Sequence, residues 1–127
     1  MADNYRIATV DGRFLTLLAQ NGPVTAQPLN PGALNQIWNI PGFAGNNSPI
    51  QNLGYQAPGP FANPIAGAVV GDIPPTAWNF IVAGGNNFIQ QVGANLTWTA
   101  GPGPGGAVAL LPANFADPNQ QLAIAAA

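Results

Sequence analysis

Asn95 with Trp98, and Asn52 with Tyr55, are two pairs in which a carboxamide precedes an aromatic ring by three residues. Such rings can pack against the C–H faces of a pyranose sugar, and an amide offers both a donor and an acceptor to a hydroxyl. Each Asn could equally cap a turn. Trp98 and Tyr55 also share an alternation phase with Leu96 and Leu53, a pattern that turns them inward. No covalent chemistry competes with these readings. The chain has four acidic and two basic residues, no His, no Cys and a single Ser, Ser48. A Ser–His–Asp apparatus, an imidazole base and a thiolate nucleophile are therefore excluded. The four Asp (Asp3, Asp11, Asp72 and Asp117) are too scattered for a Ca²⁺ cage. The expectation is a protein that is not an enzyme and has no catalytic residue, metal or cofactor.

Charge narrows the partners. Only 5% of residues are charged, against about 25% in an ordinary soluble domain. The net charge is −2, and without a basic cluster nothing neutralises phosphates, so nucleic acid is excluded. No continuous apolar window is long enough for a membrane-spanning helix. A surface of Asn, Gln, Thr, Gly and Pro with little charge to keep molecules apart leaves self-association open, and with it the alternative of a self-assembling structural or storage protein. Met1 to Tyr5 lack the basic start and apolar run of a secretory leader, so the expected location is cytoplasmic, or secreted as a mature form. Asn46-Asn47-Ser48 and Asn95-Leu96-Thr97 read as glycosylation acceptors.

The elements that must hold these residues are short. At 127 residues the chain suits one domain, and 16 Gly and 14 Pro cut it into brief apolar runs. No stretch keeps helical spacing for three turns. Three segments end on one phrase: Asn35-Gln36-Ile37-Trp38, Thr76-Ala77-Trp78 and Asn119-Gln120-Gln121-Leu122. The anchors Trp38, Trp78 and Leu122 recur at about 40 residues, which marks one supersecondary unit copied three times. The implied units are approximately 1–43, 44–83 and 84–127. Their second strands are expected at Phe14–Leu17, Asn52–Tyr55 and Asn95–Trp98, and their third at Val24–Ala26, Ala66–Val70 and Ala107–Leu111. Asp11-Gly12, Asn21-Gly22 and Gly84-Gly85 supply tight-turn signals. About twelve short strands and no substantial helix follow, an all-β chain.

Three such units, each closing on a Gln-x-Trp-like strand, resemble the β-trefoil fold of ricin B-like proteins. The stretches Gly22 to Leu29 and Val108 to Pro112 are similar to small fungal members, both lectins and mycocypin-type protease inhibitors. The resemblance implies defence by binding: a neutral glycan or glycoprotein held by aromatic stacking and amide hydrogen bonds, or alternatively a cysteine or serine protease. It also implies that Trp38, Trp78 and Leu122 fill the core, where a Leu can replace a Trp. The ricin-type sugar site places an Asp early in the second strand, and the matching Thr16, Gly54 and Thr97 lack it. Sugar-binding candidates are then Trp98, Asn95, Tyr55 and Asn52. An inhibitor needs rigid exposed loops, for which Asn21, Pro58, Gly59, Pro60, Pro102 and Pro104 are candidates. Arg13, beside a tight turn, is the basic residue suited to a trypsin-like pocket. The third unit, with Trp98 and the longest Gly/Pro loop, departs furthest from threefold symmetry.

Overall fold

Turn-forming residues cut the chain into segments of two to seven residues that form strands, and the longer strands alternate inward and outward side chains. The computed structural model describes residues 3–43, 47–56 and 59–127. Among them are β1 (Asn4–Thr9), β2 (Phe14–Leu17), β3 (Val24–Gln27), β4 (Trp38–Asn39), β5 (Asn47–Pro49), β6 (Gln51–Asn52) and β7 (Phe61–Ile65). There follow β8 (Ala68–Asp72), β9 (Ala77–Ala83), β10 (Asn86–Gln91), β11 (Thr97–Ala100), β12 (Gly106–Leu111) and β13 (Leu122–Ala126). Leu34–Gln36 form a 3-10 turn. In β9, Trp78 and Phe80 turn inward; in β12, Val108 and Leu110 do the same.

All thirteen strands belong to one antiparallel sheet. Its hydrogen-bonded path runs from β2 through β3, β12, β8, β7, β6 and β4 to β1, and β1 pairs again with β2, so the sheet closes on itself. Closure removes most of the unpaired edge that an open sheet would expose. β1 and β13 pair over five residues, from Tyr5 opposite Ala126 to Thr9 opposite Leu122. Ile7, Leu15, Leu17, Val24, Trp38, Ile40, Val69, Trp78, Ile89 and Trp98 fill the interior.

The middle and last second strands differ from expectation. Residues Leu53 to Gln56 leave the sheet after β6, and the strand that pairs with β8 is β7, at Phe61–Ile65. Gly54 explains the departure: a Cβ there would stand 2.7 Å from Asn35 Cα, so the chain passes too close to its neighbour to continue a ladder. Further along the chain the strand is Thr97–Ala100, which leaves Asn95 in the preceding turn. Gly84-Gly85 forms the expected two-residue hairpin turn with positive φ (58° and 81°), between Ala83 and Asn86, and Ala66-Gly67 (φ 52° and 78°) forms another between Ile65 and Ala68. Asn21-Gly22 instead closes an ordinary turn, Gly22 N–H donating to Ala19 O at 3.0 Å.

Candidate functional site

Indole N–H groups need acceptors when buried, and two of the three Trp find theirs in the same way. Trp38 Nε1 donates to Leu15 O at 3.0 Å and Trp78 Nε1 to Ala62 O at 2.8 Å. Leu122, also buried, has no such donor, and the residue matching Leu15 and Ala62 is Trp98. Large and small have changed places: Trp against Leu or Ala twice, then Leu against Trp. Trp98 meets Trp78 edge to face, ring centroids 5.2 Å apart. Its own Nε1 has no partner among the described residues.

This packing corrects three of the four sugar-binding candidates. Trp98 is 1% exposed and has no face to offer a sugar. Asn52 is buried, its Nδ2 donating to Asn35 O and its Oδ1 accepting from Gly54 N, both at 2.9 Å. Tyr55 packs against the core, its hydroxyl donating to Leu17 O at 2.6 Å, and burial pushes its phenol pKa up. Asn95 alone lies at the surface.

Of the inhibitory-loop candidates, Arg13 cannot enter a protease pocket because it is 7% exposed and its guanidinium is tied to neighbouring groups. Its Nε pairs with the Asp11 carboxylate at 2.9 Å, and its Nη1 donates to Gly101 O at 2.7 Å and to Gly103 O. Asp11 itself stays largely exposed, its carboxyl held below the usual range by the Thr9 hydroxyl and then by Arg13. An acid does stand near a second strand, then, but it is spent on its neighbours. Gly59 and Pro60 are buried, and Pro58 lies outside the described residues. Asn21, Pro102 and Pro104 are exposed. The Pro102–Pro104 loop is fastened below: Gly105 N donates to Ala26 O at 2.7 Å. Gly106 passes so close that a Cβ would lie 2.3 Å from Gly101 O.

Two buried Gln side chains frame surface loops in one pattern. Gln36 Nε2 donates to Thr16 Oγ1 (3.1 Å) and Pro28 O (2.9 Å), while its Oε1 accepts from Asn30 N (2.9 Å). Gln120 Nε2 donates to Thr99 Oγ1 (3.1 Å) and Pro112 O (3.0 Å), and its Oε1 accepts from Asn114 N (2.7 Å). In the middle of the chain Thr76 stands for the Gln and Asn63 for the Thr. Asn63 reaches Pro74 O at 2.8 Å, and its Oδ1 accepts from the Thr76 hydroxyl. Reach lost by one partner is regained by the other.

The loop framed by Gln120 carries Phe115. Of three Trp, two Tyr and six Phe, it is the one exposed aromatic side chain, at 44%. Its ring rests on buried Phe88, centroids 4.5 Å apart, and Gln121 Nε2 holds its carbonyl at 3.0 Å. Asn95 lies alongside, its Oδ1 accepting from Ala113 N at 3.2 Å and Gln90 Nε2 at 3.4 Å. Asn114 Oδ1 accepts from Ala116 N, and Asp117 Oδ1 from Asn119 N. The Nδ2 groups of Asn95 and Asn114 have no acceptor among the described residues. A supported aromatic face bordered by amide donors and the Asp117 carboxylate can stack on an apolar ring face and bond its hydroxyls. No pocket opens among the described residues, so a ligand would be met by these loops.

Solved structures with the same architecture include a Macrolepiota procera ricin B-like lectin in complex with lactose (TM-score 0.80, 17% identity, 100% of this chain and 98% of that one). The Rhizoctonia solani agglutinin aligns at TM-score 0.83 with 18% identity, over 100% of this chain and 96% of the other. ThreeFoil, a designed threefold-symmetric protein, aligns at 0.82 with 13% identity, over 97% and 98%. The chain is a β-trefoil. At these identities the likeness is one of fold. No protein-family model matches the chain, and no curated protein does. In this β-trefoil the framing Gln residues and anchors are internal, and the framed loops are what solvent meets. Phe115 was readable as a signal: it is the lone aromatic between Pro112 and Pro118, flanked by Asn114 and Asp117. The Asn-to-aromatic spacing drew attention to Trp98 instead, because Asn95 and Trp98 are neighbours in sequence but not on the surface.

Proposed function

We propose that this β-trefoil is a non-enzymatic carbohydrate-binding protein that holds a neutral glycan on Phe115, with Asn95 and Asn114 donating to its hydroxyls. The carrying observation is that Phe115 alone among the aromatic rings is exposed, and that it is backed by Phe88. Neutrality is supported by the charge nearby: Asp117 borders the ring, while Arg6 and Arg13 are occupied elsewhere, Arg6 at Pro31 O and Arg13 at Asp11. The fold likeness to the Macrolepiota procera and Rhizoctonia solani proteins supports a lectin of fungal defence type. The recurrent Gln and Trp bonds support three units at about 1–43, 44–83 and 84–127.

Covering the remaining exposed area of Phe115 would contribute about half of the 1.5–3 kcal/mol of a full Phe burial, roughly a three- to tenfold effect on affinity. A glycan array probed with wild type and Phe115→Ala tests this: binding to neutral glycans should drop about three- to tenfold in the variant. No signal from wild type at high protein concentration would sink the reading.

A second reading, protease inhibition, is favoured by the fastened Pro102–Pro104 loop, which would lose little entropy on docking. Papain titration tests it, since Arg13 is too buried to serve a trypsin-like enzyme.

A further inference from the structure

The loops at 28–36 and 112–120 are copies in backbone and differ in content. Ala33 N donates to Asn30 O at 2.9 Å as Asp117 N does to Asn114 O at 3.0 Å. Gln36 N to Ala33 O is matched by Gln120 N to Asp117 O, and Ile37 N to Leu34 O by Gln121 N to Pro118 O. Together with the three Gln side-chain bonds, these fix one residue-by-residue correspondence. Pro31 stands where Phe115 does, and Ala33 where Asp117 does. The Pro31 carbonyl is covered by Arg6, whose Nη2 donates to it at 3.1 Å. The turn before β2 is one residue shorter than the turn before β11, with Thr9 N donating to Arg13 O where Gln91 N donates to Leu96 O, and its acid, Asp11, accepts from Thr9 and Arg13 rather than from the loop. The middle corner has no comparable loop, because β8 and β9 are joined by four residues, Ile73 to Thr76.

We infer that the chain binds one glycan per molecule and therefore masks glycans without cross-linking them, because Phe115 and Asp117 turn one of two identical loop frames into a site. This rests on the proposed carbohydrate function. Hydroxyl bonds alone compete with water, so a frame without the aromatic face gives no stable complex. The first frame is a blank on which the missing groups can be written.

The test is an amide NMR titration of the whole chain with lactose and with the array's strongest neutral oligosaccharide, alongside erythrocyte agglutination. Shifts confined to 92–95 and 113–121, a stoichiometry of one and no agglutination are expected. Shifts at 28–36, a stoichiometry of two or agglutination would overturn the inference. The paired variant Pro31→Phe/Ala33→Asp should raise the stoichiometry to two and make the protein agglutinate. A folded graft that still binds one glycan would overturn the claim that these residues decide the matter. Should the graft not fold, the reverse exchange Phe115→Pro/Asp117→Ala should abolish binding at 113–121 while the amide spectrum stays dispersed, and retained binding overturns the claim. Absence of any shift in wild type removes the carbohydrate reading itself, and is thereby distinguished from a wrong count of sites.

Discussion

Exchanging residues 98 and 122 asks whether the core recognises a volume or a residue. Trp98→Leu removes about half of a buried indole, worth roughly 2–3 kcal/mol by the cost of large-to-small core changes. It also removes an N–H that lacks a partner, which returns about 1 kcal/mol of desolvation. Leu122→Trp alone forces a second indole into space that Trp98 already fills, at about 1–3 kcal/mol. In the double variant the indole at 122 takes the position that Trp38 and Trp78 hold in the other two corners. Its Nε1 then meets the carbonyl of residue 98, as theirs meet Leu15 O and Ala62 O at 3.0 and 2.8 Å. The double variant should lie within about 1 kcal/mol of wild type, so the two changes couple favourably by about 2–3 kcal/mol. Urea unfolding followed by far-UV circular dichroism, each variant fitted with its own folded and unfolded baselines, measures all four corners of the cycle. Additivity within about 0.5 kcal/mol would refute the large-for-small exchange.

Four further outcomes follow from the other side-chain bonds. Asp11 is held below the roughly 3.9 of a free carboxyl. Its stabilisation is therefore complete above that value and is lost as pH falls through the folded pKa; Asp11→Asn should flatten the acid limb of a stability–pH curve. Arg13→Met removes bonds to Asp11, Gly101 and Gly103 and should cost about 2–3 kcal/mol, with faster hydrogen exchange at the Gly105 amide; unchanged exchange would mean that Arg13 does not hold the loop. Gln36→Leu strands the Asn30 N–H and Pro28 O and should cost about 2–3 kcal/mol, while Thr76→Gln with Asn63→Thr should be tolerated far better than either change alone in thermal melts.

The all-β character was legible because Gly and Pro interrupt every helical period, and the anchors were legible because Trp is rare and repeated at a fixed distance. The middle corner was not legible by the same means. Tyr55 carries an apolar side chain at a strand-like phase, but Gly54 sits against the Asn35 backbone and takes it out of the sheet. Asn63 and Thr76 hide their equivalence to Thr16 and Gln36, since what is preserved is a span between backbones and not a pair of residue types. The site was half legible. Asn95 is a candidate from the sequence; Phe115 stands there as a lone aromatic between two Pro, but its support, Phe88, lies 27 residues away and joins it only through the fold.

The pairing of β1 with β13 also sets a clock. β1 is held by β2, β4 and β13 together, and Arg13 reaches a carbonyl 90 residues further along the chain. Contacts of such separation close only after large loops have been ordered, which places chains of this kind among the slow folders, on the millisecond-to-second scale. The first strand of the fold must wait for the last. Until β13 arrives, Ile7 lacks its cross-strand partner Ile124, and in a chain with so few charges that interval is when molecules are most exposed to one another.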